Sequence, residues 1–247
     1  MDSETKLELI ASAFCGTMTV FFLIKSYTNF KEPSKFHWNL IRRWFMLADT
    51  LLMTVLCTTC LLQTEDLHHP STWFESFIGC LFLGHFMFDM VYVLMVMPCW
   101  TIVIHHTFVF IWLPTTLYFD RAGCETVITI TVGLCSDILL HTRDLIRIFN
   151  QRSTGLYFLV ELLFFTGFFI PRLTFTPFMI VFMTYMQYTK TAEMCGFVGL
   201  TLQSYYLGYH MIPIIKKRFA EFQSALKMKK KIQWMNPFEM VVPERIN

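Results

Sequence analysis

The sequence predicts an all-α, polytopic membrane protein with about seven transmembrane helices. Three observations predict it. First, 55% of the 247 residues are hydrophobic and only 15% are charged, with a mean hydropathy of +0.49. Soluble domains carry roughly 25% charged residues, so this chain has too little polar surface to cover a water-soluble globule. Second, apolar runs recur at the ~20-residue length that crosses a ~30 Å hydrocarbon core. Third, the basic residues gather on alternate loops. Alternating ~10-residue strands, the mark of an outer-membrane barrel, do not occur.

The spans are expected at 7–27, 43–63, 73–97, 99–119, 124–147, 155–187 and 193–215. No small-x-small cleavage pattern follows the first apolar run, so it reads as a retained span. The sixth run holds Pro171 and Pro177 and should be kinked, tilted or split. With the N-terminus on side A, that side holds Lys6, Arg121 and Lys190, and side B holds sixteen of the remaining Lys and Arg residues. Arg172 lies inside span six. By the positive-inside rule this puts the N-terminus outside and the C-terminus in the cytoplasm, or in the matrix of a mitochondrion. The division expected is a leading span and loop over 1–35, a transmembrane domain over 36–217 and a basic tail over 218–247. From Lys216 to Trp234 basic residues alternate with Phe219, Phe222, Leu226, Met228 and Ile232. That pattern suits a helix lying on an anionic leaflet.

The eight cysteines lie in or beside apolar runs, which is poor placement for a disulfide framework. Cys57-Thr-Thr-Cys60 sits within a span and reads as two small buried residues. No Asn-x-Ser/Thr acceptor occurs.

Charged groups in hydrocarbon cost roughly 2.5–3.5 kcal/mol each even on the lenient scale, so those retained should face protein or a wet cavity. At ~1.5 Å rise per residue, Asp49, Asp89, His105, His106, Glu161 and His210 all lie about 8–12 Å from side B. Asp137 and His141 share that half of the membrane on one face of span five, with Asp144 a turn further on. The outer half is poorer, with Glu75 and Glu125 at its rim. The pattern predicts a polar chamber toward side B, closed by an aromatic, apolar outer half. The opposing reading is a set of structural clamps or snorkelling side chains.

Gly84-His-Phe-Met-Phe-Asp89, followed sixteen residues later by His105-His106, resembles the TLC-domain family, which includes the ceramide synthases. Ser136-Asp-Ile-Leu-Leu-His-Thr-Arg143 is similar to that family's Ser-containing helix ending in Arg. Phe168-Phe-Ile-Pro-Arg172 with Pro177 resembles its Phe-x-x-x-Arg-x-x-x-x-Pro segment, and Arg121-Ala-Gly123 resembles a short loop of ceramide synthases. The resemblance covers about 36–217 and implies a six-helix TLC-type core. One departure stands out: the acidic or His-Asp element expected before Ser136-Asp137 falls here on Gly133-Leu134.

The resemblance implies lipid metabolism in a membrane, the endoplasmic reticulum first, with the mitochondrial inner membrane or plasma membrane as alternatives. The family's enzymatic branch transfers an acyl group from acyl-CoA to a lipid amine, its histidines central. Imidazole suits such work as base, acid or nucleophile near neutral pH. A neighbouring carboxylate would fix its tautomer. The catalytic candidates are therefore His105, His106, Asp89 and Asp137. The substrate-binding candidates are His141, Arg172, Glu161, His210 and Asp49, with Arg172 free to bind an anion or to pair with Glu161. No tightly bound cofactor is expected, and acyl-CoA enters only as co-substrate. The expected partners are membrane lipids and, in the alternative reading as a lipid-composition regulator, cargo receptor or accessory subunit, other membrane proteins. Nucleic acid has no support. A metal site is disfavoured, because no span carries the Glu-x-x-His pair of helical di-iron sites.

Overall fold

A computed structural model describes residues 1–27, 35–64, 70–96, 98–120, 122–152, 154–185, 191–227 and 234–235. All regular structure among them is helical. The helices are α1 (Ser3–Tyr27), α2 (Lys35–Gln63), α3 (Trp73–Met95), α4 (Trp100–Phe119), α5 (Gly123–Ile148), α6 (Gly155–Ile170), α7 (Thr176–Tyr185) and α8 (Thr191–Lys227). One π-helical turn, Pro171–Phe175, joins α6 to α7. The long sixth run thus continues through a widened turn at Pro171, where a proline removes a backbone donor.

Among the described residues six stretches are long and apolar enough to cross a membrane: α1 to α5, and α6 continued to Phe182. Helix α8 misses that hydropathy because Gln203, Ser204, Tyr205, Tyr206, Tyr209 and His210 interrupt it. It nevertheless runs antiparallel along α4. Gly196 abuts Trp112, Gly199 abuts Phe108, and Gln203 reaches Thr101. Over residues 196–203 it therefore lies beside residues 101–112 of α4. The glycines are required there, since a Cβ on Gly199 would lie 2.2 Å from the Phe108 ring. Gly84 does the same for α1 and α3, where a Cβ would come within 2.6 Å of Ala13.

The bundle is apolar outside as well as inside. Leu52, Val55, Leu62, Leu162, Val181 and Leu202 are all exposed, as expected of lipid-facing positions. The largest core lies between α2, α3, α4, α5 and α8 and includes Met53, Ile78, Trp112, Leu113, Val127 and Phe197. Cys57 and Cys60 are buried within it, and all eight cysteines are free. A second cluster packs α1 on α2 and α3 around Phe21, Phe45, Phe88 and Tyr92.

The ends are set by local chemistry. The Asp2 carboxylate accepts from Thr5 N–H at 2.8 Å, which holds its pKa below the ordinary value. Thr72 and Glu75 form a reciprocal capping box at the start of α3. Asp120 and Ala122, both at positive φ, reverse the chain between α4 and α5. Lys6 is buried there, bonded to Asp120 and to the Leu117 carbonyl, and ties α1 to this turn. Within the expected surface helix from Lys216, residues 216–227 are helical and continue α8, and residues 228–233 lie outside the described set.

Candidate functional site

Between α2, α3, α4, α5, α6 and α8 lies a cavity of about 410 Å³. Its wall contains Asp49, Asp89, His105, His106, Asp137, His141 and Arg172. This falls within the ~300–1,000 Å³ range of small-molecule sites. Phe82, Phe86, His105, Asp137 and Arg172 also line a smaller apolar pocket of about 70 Å³, bounded further out by Val109, Trp112, Ile130 and Phe197. The polar residues thus converge from separate helices at one level, with an aromatic compartment on one side.

The His pair is held by two different acceptors. His106 Nε2 lies 2.9 Å from Asp89 Oδ2. A carboxylate only accepts, so Nε2 carries the proton, and Nδ1 is left as a buried lone pair with no partner among the described residues. His105 Nδ1 lies 3.2 Å from Gln203 Oε1, while Gln203 Nε2 donates to the Thr101 carbonyl at 2.7 Å. That second bond fixes which end of the amide faces the ring. His105 therefore donates through Nδ1 and keeps its lone pair on Nε2. In its neutral form each histidine keeps one unprotonated nitrogen: that of His106 is buried, while His105 lines both the chamber and the apolar pocket.

Asp89 has a second partner. Arg42 binds it through Nε (2.9 Å) and Nη2 (2.7 and 3.0 Å), a two-pronged ion pair buried on both sides. His85 Nδ1 sits 2.9 Å from Asp49 Oδ2, an ion-pair contact off the hydrogen-bonding direction. Arg172 donates to Asp137 Oδ1 (2.9 Å), Ser136 Oγ (3.0 Å) and the Gly133 carbonyl (3.4 Å). Arg43 Nη1 lies 3.2 Å from His141 Nδ1, and Arg43 Nη2 pairs with Asp144 at 2.8 Å.

Two expected members lie elsewhere. Glu161 faces the basic end of the bundle, where it accepts from Arg143 and Tyr157 and pairs with Arg218. It does not pair with Arg172, whose guanidinium turns toward α5 because Asp137 and Ser136 stand opposite it. His210 is exposed on α8 and meets Tyr206 edge-to-face, with ring centroids 4.4 Å apart and the planes at 66°. It lies on the wrong face of α8, seven residues from Gln203 but off the chamber wall.

Four lining residues whose side chains bond or pair with the expected acids and histidines were not anticipated: Arg42, Arg43, His85 and Gln203. Arg42 and Arg43 read as loop charges because span two was begun at 43, whereas α2 begins at Lys35. Arg42 and Asp49 are seven residues apart with Met46 between, and that one-face spacing was the available signal. Nothing in the spacing marks Gln203, whose role depends on α8 lying against α4. The departure at Gly133 has a structural counterpart. A Cβ there would lie 3.8 Å from Arg172 Nη2, so the missing acidic element would have faced Arg172, and Asp137 supplies that carboxylate instead.

Among the described residues no group of three or more His, Cys, Asp or Glu is placed to hold a metal. The TLC-domain family model matches residues 39–214. The chain belongs to the TLC-domain family. Its match leaves out α1 and the end of α8, so the TLC domain comprises the helices that wall the chamber. No curated protein and no solved structure matches the chain.

Proposed function

We propose that this TLC-domain protein binds a lipid acyl chain in the intramembrane chamber and transfers acyl groups from acyl-CoA to a lipid acceptor, using the His pair. The carrying observation is that His105 and His106 each have one ring nitrogen fixed by an acceptor, leaving a lone pair on the other. His105, its Nδ1 held by Gln203, is the general base. The acceptor's N–H or O–H proton passes to His105 Nε2 as the acceptor attacks the thioester carbonyl. The C–S bond then breaks, and the departing thiolate takes that proton. His106, oriented by Asp89, is the neighbouring imidazole, its other ring nitrogen buried. Arg172 is the cation in the wall nearest the apolar pocket, where developing negative charge would be stabilised. The cytoplasmic side of the endoplasmic reticulum, where acyl-CoA is available, is the site this reading implies.

A non-enzymatic reading, as a lipid-composition regulator or an accessory subunit, has one observation in its favour. Asp89 is bound twice by Arg42, which fits a structural clamp. One experiment separates the two. Cells lacking the protein are rescued with the wild type or with His105→Ala/His106→Ala, and their acyl-lipid profiles are compared. The enzyme reading expects normal expression with no restoration of the profile. Full restoration by the double variant sinks it and favours binding or scaffolding.

A further inference from the structure

At the basic end of the bundle, α6 and α8 enclose a second cleft of about 600 Å³ that shares no lining residue with the chamber. Its carboxylates are already occupied. Glu161 is met by Arg143, Tyr157 and Arg218, and Glu221 by Arg218. Two cations in its wall, Arg152 and Lys217, are exposed and have no ion-pair partner among the described residues. The Phe158 and Phe222 rings stack at 4.2 Å and 9° between the two helices and form its apolar wall. On the other side of that stack runs a small furrow lined by Leu162, Phe165, Ile215 and Phe219, which shares Phe158, Glu161 and Arg218 with the cleft. Next to Tyr157 in the chain, Leu156 N–H donates to the Trp234 carbonyl at 3.2 Å.

We propose that this cleft binds the phosphate headgroup of an anionic phospholipid, with Arg152 and Lys217 as its ligands and the adjoining furrow taking the first methylenes of its chains. The juxtaposition carries the assignment. Two unpaired cations facing a cleft suit a phosphate, and an apolar furrow continuous with that cleft suits a phosphate attached to a hydrocarbon chain. A free phosphate ester would have no use for the furrow. The cleft sits where the positive-inside rule puts the cytoplasmic surface, and the anionic lipids concentrate in that leaflet. The site is independent of the histidine chemistry and survives its failure.

The test is native mass spectrometry of the full-length protein in detergent with equal amounts of phosphatidylcholine and phosphatidylserine. The expected result is selective retention of phosphatidylserine. Each surface cation contributes about five-fold to such binding, so Arg152→Gln with Lys217→Gln should weaken retention by about twenty-five-fold. Lys229→Gln/Lys230→Gln/Lys231→Gln removes three tail charges and should change little. An equal loss in both variants means an unspecific basic surface and overturns the site. Phe219→Ser should weaken retention several-fold, and no change there overturns the furrow. If coenzyme A displaces phosphatidylserine, and the Arg152/Lys217 variant abolishes its binding, the phosphate belongs to a soluble ligand and the lipid assignment fails. Arg152, Lys217 and Phe219 are exposed, so folding of their variants is not at issue.

Discussion

The two halves of this bundle are held together by different forces. The half nearer the α4–α5 turn, termed outer, is packed side chain to side chain around the buried Trp112, Leu113, Ile78, Val127 and Phe197, apart from the small apolar pocket. The inner half is built around empty volume and is held by ion pairs that cross it: Arg42 to Asp89, Arg172 to Asp137, and Arg43 to Asp144. Helices around a cavity lose dispersion contacts. Ion pairs in their place fix distances between helices without filling the space. The difference teaches that the charges in this membrane domain serve two ends at once, since the pairs that hold the chamber open also orient its histidines.

The comparison is sharpest where a large group is removed from each half. Trp112→Ala should cost about 3–5 kcal/mol, from lost transfer energy plus the cavity left behind. Arg42→Met should cost about as much, for another reason: Asp89 would remain as a buried charge with one partner removed. Thermal unfolding in detergent measures both, and a second substitution separates them. Asp89→Leu added to Arg42→Met removes the orphaned charge and should recover most of the stability, while leaving the lipid profile unrestored. No partner substitution that removes charge should rescue Trp112→Ala. Failure of the double variant to regain stability would break the distinction between the halves.

The fold was largely legible because its signals are local. Length, hydropathy and the distribution of Lys and Arg need no knowledge of which helix meets which. The joint appearance of Asp89, His106, Asp137 and His141 in one wall was legible for a similar reason, since depth along each span follows from residue count. What stayed hidden depended on rotation and pairing. Depth alone puts Glu161 and His210 at the chamber's level, but the faces they occupy turn them to the basic end and to lipid. Arg42 was hidden by a boundary, because a charged residue at a span's edge reads as topological until the helix is seen to extend past it. Gln203 is hidden for the most physical reason: an amide in a polar stretch of α8 carries no sign of its partner until α8 is laid along α4.

Gln203 gives the smallest expected effect on stability and the finest test of the comparison. It holds no charge and fills no core. It accepts from His105 and donates to Thr101, so its contribution is orientation. Replacing it with methionine keeps the volume and removes both hydrogen bonds, at a cost of about 1–3 kcal/mol, below either loss above. The functional effect should be out of proportion to that cost. Without the acceptor, the His105 proton is free to sit on either nitrogen, and the lone pair faces the chamber only part of the time. Lipid restoration in rescued cells should then fall, though by less than the ~10²–10⁴ that a general base contributes in full. Gln203→Glu keeps an acceptor for His105 Nδ1 while losing the donor to Thr101, and should restore more of the lipid profile than Gln203→Met. If the two variants are equally impaired at equal expression, Gln203 acts through packing rather than through the His105 tautomer. The inner half would then hold its histidines as the outer half holds its tryptophan, by shape alone.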